Sequence, residues 1–240
     1  MYQPRDYRKY VNATGLCSFT VTFKESDLHI SAQTDLAQKA LLLVRRYYQT
    51  IENYILAHPY FHAALVPVEV ESSAPSIILD MAAAGSRAGV GPMAAVAGAM
   101  AQYVGTELGL FSEEVIVENG GDIYIKCSRE RIVSIYAGES PLSGKIGLKI
   151  APESTPAGIC TSSGTVGPSL SFGKTDAAIA LAGSAILADA AATAVGNAVS
   201  TAADIAKGIA LAQGISGVTG AVIIKEAAIG VWGNVELCSL

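Results

Sequence analysis

Charge is what this chain has least of. Only 15% of its 240 residues are charged, while 51% are hydrophobic, and 16 basic against 21 acidic residues leave a formal net charge of −5. That mild acidity gives no basic surface for nucleic acid or for an anionic membrane. The pair Arg45-Arg46 lies within a helical pattern and reads as a solvated face. Cysteine is also sparse. Cys17, Cys127, Cys160 and Cys238 form no C-x-x-C pair, which argues against zinc and iron–sulfur sites, and a few scattered thiols suit a reducing compartment. His29, His58 and His62 are equally scattered and offer neither a metal motif nor a Ser–His pairing.

The first nine residues lack the apolar core of a secretory signal, so the expected location is cytoplasmic. The uncharged stretch 88–106 comes near the ~20 apolar residues of a membrane span. Gly89, Gly91, Pro92, Gly98 and Gly105 interrupt it and alanine dominates the rest, so it reads as a buried helix and no membrane partner is expected. The apolar composition also makes a homo-oligomer plausible, since obligate interfaces are apolar.

The length fits a single domain over 1–240 with a substantial core. Residues 16–23 and 28–32 predict a β-hairpin. Thr34 is placed to cap a helix that runs to about Ala57, with apolar residues at helical spacing, and His58-Pro59 ends it. Residues 66–70 read as extended, and 75–86 and 92–108 as Ala-rich helices joined by a turn over 87–91. Strands are expected at 115–117, 122–127, 131–136, 145–150 and 179–181, with a weaker one at 169–172. Helices follow at 188–199 and 202–212, then strands at 220–225, 227–232 and 235–238. Strand runs alternate with helix pairs without a βαβ repeat. The expected fold is therefore α+β, with mixed or antiparallel sheets and Ala-rich helices packed on them.

Polar groups are costly in so apolar a chain, which draws attention to three runs. Glu118-Asn119-Gly120-Gly121-Asp122 joins two expected strands. The glycines permit φ > 0 and leave N–H groups bare for a ligand, and Asp122 can accept from a ribose, an adenine amine or water. A plain hairpin turn explains Asn-Gly as well. Thr161, Ser162, Ser163 and Gly164 offer hydroxyls and little bulk, suited to phosphate oxygens, although a polar surface turn has the same composition. No Gly-Lys-Ser/Thr follows, so this is not a Walker A loop. Cys160 beside it reads as a small buried hydrophobe, with no basic neighbour in sequence to activate it. Asp189 and Thr193 are spaced i, i+4, one above the other on a helix face, where a carboxylate and a hydroxyl can share a hard cation such as Mg²⁺. Asp189 also falls where an N-cap would stand.

In this order the three runs resemble the ApbE-like superfamily, whose best-known members are flavin transferases that move FMN from FAD to a protein threonine. Asn119-Gly120-Gly121-Asp122 is similar to its N-x-G-G-D segment, and Thr161-Ser162-Ser163-Gly164 to its T-S-G loop with one extra serine. Ala188-Asp189-Ala190-Ala191-Ala192-Thr193 is similar to its A-D-A-x-A-T helix, where Asp and Thr hold Mg²⁺. The resemblance implies an ApbE-like fold. It also implies a flavin (FAD or FMN) or other phosphate-bearing ligand bound at Asn119–Asp122 and Thr161–Gly164, with Mg²⁺ at Asp189 and Thr193. The chain departs from the transferases at two places. Ala95 stands where their D-x-G-x-x-A-K-G segment has lysine, and 171–176 lacks the histidine and proline of their H-x-x-D-P-x-T-G segment. The whole chain most resembles a compact cytoplasmic branch of archaea and sulfate-reducing bacteria, associated with sulfur assimilation and homocysteine formation. That branch implies either a divergent transferase or an accessory protein with a partner in sulfur metabolism.

Overall fold

The structure is a computed structural model, which describes residues 13–164 and 173–240. The strand expected at 169–172 lies outside the described residues. Three layers form: helices, a large antiparallel sheet and a small antiparallel sheet.

The N-terminal hairpin is β1 (Cys17–Phe23) and β2 (Ser26–Ala32). Helix α1 (Ala37–Ala57) begins later than expected. Asp35, not Thr34, serves its first turn, accepting the Ala37 N–H at 2.9 Å. After His58, the short α2 (Pro59–Ala63) follows, and 66–70 joins neither sheet. Helix α3 (Ser76–Ala88) stops at Gly89, whose φ of 72° is left-handed. The helix expected from Pro92 is divided. A 3₁₀ turn, Pro92–Ala95, precedes α4 (Val96–Leu108), because Ala95 leaves helical geometry at φ −116° and ψ 4°.

Strands β3 (Val115–Asn119), β4 (Asp122–Lys126), β5 (Arg131–Ser134), β6 (Ile146–Ile150), β7 (Ala157–Ser162) and β8 (Ala177–Ala182) come next. Helices α5 (Ala185–Ala198) and α6 (Ile205–Gly214) precede β9 (Val218–Lys225), β10 (Ala228–Gly233) and β11 (Glu236–Ser239). A 3₁₀ turn, Ala202–Asp204, takes the place of the first expected residues of α6. The large sheet runs β1-β2-β3-β4-β7-β8-β9-β10 and the small one β11-β6-β5. Among the described residues every pairing is antiparallel.

Alternation along the strands sorts two cores. Val115, Val117 and Tyr124 face the helices, while Ile116, Ile123, Ile125, Ile159 and Ile179 meet Val133, Leu148 and Ile150 of the small sheet. The buried strand β8 divides the same way. Ala178, Ala180 and Ala182 lie under the helices, and Ala177, Ile179 and Leu181 lie over the small sheet. Small residues on the helix face let α5 settle close to the sheet. A Cβ on Gly158 would fall 2.2 Å from the Ala185 backbone. Helix α5 is consequently buried around most of its circumference. Among the described residues, no helix is long and apolar enough to cross a membrane.

Candidate functional site

The glycines between β3 and β4 make a two-residue hairpin turn. Gly120 and Gly121 have φ of 70° and 106°, values that only glycine adopts freely, and Asn119 pairs with Asp122 across it. The Glu118 carboxylate accepts the Gly121 N–H at 2.8 Å and fixes the turn from below. Above it, Asn119 Nδ2 donates to the Ala97 carbonyl at 3.2 Å, tying the hairpin to the first turn of α4.

That first turn is where Asp189 arrives. The helix expected from Ala188 starts at Ala185, capped by the Ser184 hydroxyl accepting the Leu187 N–H at 3.4 Å. Asp189 therefore stands in the second turn of α5 and is not its N-cap. Its Oδ2 accepts the Gly98 N–H at 2.8 Å, and the Ala97 N–H also acts on it. It thus serves the unsatisfied N–H groups of another helix. The approach needs Gly98, because a Cβ there would fall 2.2 Å from the Ala185 carbonyl oxygen and 2.8 Å from Asp189 Cβ.

Asp122, first in β4, shares the helix face with Tyr124, as the period of two requires. It is 8% exposed. The Thr161 N–H hydrogen-bonds to its carboxyl and the Cys160 thiol lies beside it, yet Oδ1 is buried with no partner among the described residues. Burial, and then the charge of Asp189, push Asp122 well above the usual carboxylate range. Burial also pushes Asp189 up to about 7, against the lowering effect of the Gly98 and Ala97 N–H groups. The Cys160 thiol, fully buried and donating to the Ala185 carbonyl at 3.3 Å, is pushed up by burial and by both acids. It is a buried packing residue of the kind expected.

The run Thr161–Gly164 is only partly a loop. Thr161 and Ser162 are the last residues of β7, a strand the sequence reading did not foresee. Alternation puts the Ser162 side chain toward the helices, where a Cβ on Gly196 of α5 would lie 3.1 Å from its hydroxyl. The Thr161 side chain takes the opposite face of the sheet, so only its backbone joins Asp122. Ser163 and Gly164 turn away and bond to the Thr175 carbonyl, from Ser163 Oγ at 3.4 Å and the Gly164 N–H at 3.0 Å. Thr193 is half-buried on α5, between Asp189 and Gly196 along β7.

The structure therefore brings Asn119 and Asp189 to the start of α4, with Asp122 on the same helix side of the sheet, while Ser162 lies against α5 near Gly196 and Thr193 stands one turn beyond Asp189 on α5. It leaves the Thr161 hydroxyl out. Sequence reasoning missed the Ala97 and Gly98 amides, which carry no side-chain signal. A family model described as AbpE bacteria matches residues 8–216. The chain belongs to this family. Among relatives, a UPF0280 protein of Methanosarcina acetivorans is 42% identical over 206 residues, covering 85% of this chain and 80% of that one. Another, from Methanocella arvoryzae, is 46% identical over 173 residues, covering 72% and 70%. A mutant of flavin transferase ApbE from Vibrio cholerae superposes with a TM-score of 0.56 at 11% identity, covering 91% of this chain and 97% of that one. The apo form of Pseudomonas stutzeri flavinyl transferase ApbE gives 0.51 at 14% identity, covering 91% and 94%. At those identities the likeness establishes a shared ApbE-like fold for this family member and nothing finer.

Proposed function

We propose that the chain is one ApbE-like domain that binds a flavin nucleotide or another phosphate-bearing small molecule together with Mg²⁺. The observation that carries this reading is the buried acid pair, Asp122 and Asp189, which has an acceptor oxygen to spare. A hard divalent cation fits such oxygen donors. Among the described residues no three His, Cys, Asp or Glu side chains converge, so the protein supplies only part of an octahedral shell. Asp189 and Thr193 would hold the cation, with water and ligand phosphate completing it. Once bound, Mg²⁺ supplies charge neutralisation and Lewis acidity at a phosphate.

The chain's own groups do the positioning. The Asn119–Asp122 turn and Ser162 at the end of β7 flank the ligand, and Asn119 fixes the turn on α4. Ala95, fully buried in the 3₁₀ turn where the resembling transferases carry lysine, supports a reaction other than standard flavin transfer. A second reading, an accessory role in sulfur assimilation, rests on the missing lysine and histidine together with the branch resemblance and expects a stable protein partner on co-purification. Calorimetric titration with FAD, FMN and ATP, with and without Mg²⁺, tests the first reading. Mg²⁺-dependent binding of at least one is the expected result, and folded protein that binds none of them would refute it.

A further inference from the structure

We infer that Asp122 is itself a direct ligand of the divalent cation, which makes the site a two-carboxylate centre. This rests on the cation site proposed above. The sequence reading lets Asp122 accept from a ribose, an adenine amine or water beside a glycine turn. Its position in the fold is different. As the first residue of β4 on the helix face, its side chain enters the layer that α5 crosses, and Asp189 stands there as its electrostatic neighbour. More than nine-tenths of Asp122 is buried, and Oδ1 has no partner among the described residues.

The remaining contacts narrow what that oxygen can meet. The Thr161 N–H already serves the Asp122 carboxyl, the Cys160 thiol beside it donates to the Ala185 carbonyl, and the Gly98 N–H occupies Asp189 Oδ2. No cationic side chain is among the principal groups acting on either acid, and Glu118 adds a third negative charge behind Asp122. Two buried acids that feel each other's charge without a countercharge repel when both are ionised. A small hard cation between them removes the repulsion and uses the orphaned oxygen. The approach is fixed by main chain. Gly98 lets α4 close on Asp189, and the Gly120-Gly121 turn starts β4 at the right register. Asn119, the other polar side chain of the turn, is committed to the Ala97 carbonyl and remains outside the metal shell.

Mn²⁺ titrated into the full-length protein and followed by electron paramagnetic resonance, together with thermal unfolding with and without Mn²⁺, tests this. The comparison uses wild type, Asp122→Asn and Asp189→Asn. Wild type is expected to bind Mn²⁺ and to melt higher with it. Asp122→Asn is expected to lose about tenfold or more in Mn²⁺ affinity, at least the loss typical of an outer-shell change. Without metal it is expected to melt no lower than wild type, since the repulsion is gone. That combination separates a ligand from a merely structural residue. Asp122→Asn binding within about twofold of wild type, well short of that loss, while Asp189→Asn does not bind, overturns the inference and leaves the proposed function standing. Wild type that binds no Mn²⁺ removes both. Should Asp122→Asn fail to fold, wild type carrying a magnetic carbon isotope at its Asp carboxyls decides the matter. Electron–nuclear double resonance on bound Mn²⁺ then sees two carboxyl carbons if Asp122 ligates and one if it does not.

Discussion

Two buried acidic centres lie on opposite faces of the large sheet, and the sequence treats them in opposite ways. On the small-sheet side, Glu114 meets Arg131, itself 2% exposed, through Nε at 3.0 Å and Nη2 at 2.6 Å, and takes the Ser128 hydroxyl at 2.8 Å. Burial acts to raise Glu114, but Arg131, Ser128 and Arg129 hold it below the ordinary carboxylate range. On the helix side, Asp122 and Asp189 have amides, a thiol and each other, and both are pushed up. One centre is closed by the chain's own cation. The other is left one countercharge short, the condition expected of a binding site rather than a structural one.

Arg131→Met is the largest test of that contrast. It strands Glu114 in a water-poor site and is expected to cost about 3–5 kcal/mol of stability in urea unfolding. It also turns the structural centre into an imitation of the other, so that Glu114 rises instead of falling. A loss no larger than that of an exposed pair would mean the two centres do not differ as described.

The pH dependence comes next. The raised pair contributes stability that is fully present below the unfolded-state value near 3.8 and is lost as pH rises through about 7, where Asp189 sheds its proton. In chelator, the melting temperature is therefore expected to fall between mildly acid and mildly alkaline pH, and Mg²⁺ should restore it at the alkaline end. Glu114 behaves in reverse. Its contribution is present above the unfolded carboxylate value and is lost as pH falls through its lowered one, so it governs acid unfolding instead. A melting temperature flat across the neutral range in chelator would remove the distinction. The smallest effect belongs to Ser128→Ala, which deletes one of several hydrogen bonds to Glu114 and is expected to cost about 1 kcal/mol in the same unfolding assay.

The Glu114–Arg131 centre was not legible in the sequence, since nothing local relates residues 17 apart and the packing of the small sheet on the large one brings them together. The acid pair was more legible because Asp122 and Asp189 each interrupt an apolar run. What the sequence could not supply was the direction of each side chain. Thr161 read as loop because its neighbours are small and polar, and only the unforeseen pairing of β7 with β4 and β8 turns its side chain to the far face. The apolar period alone places the start of α5 at Ala188, three residues late, where Asp189 stands as a possible cap, whereas the cap signal lies at Ser184. Strands β3 and β4 and helix α1 were readable because their apolar periods, two and 3.6, are supported by residues with matching propensity. Strand β8, whose helix face is all alanine, reads as only 179–181 for the opposite reason.

That alanine face has a mechanical consequence. The layer between β8 and α5 is built largely of methyl groups on backbone, and alanine has no rotamers to exchange. Ala188, Ala190, Ala191 and Ala192, the neighbours of Asp189 along α5, cannot make room by turning a torsion. The span between the two acids is therefore set by where a helix lies on a sheet. A cation of the kind proposed that needed a wider or narrower gap would have to shift α5 bodily, which would make the proposed site a fixed gauge rather than an adjustable grip.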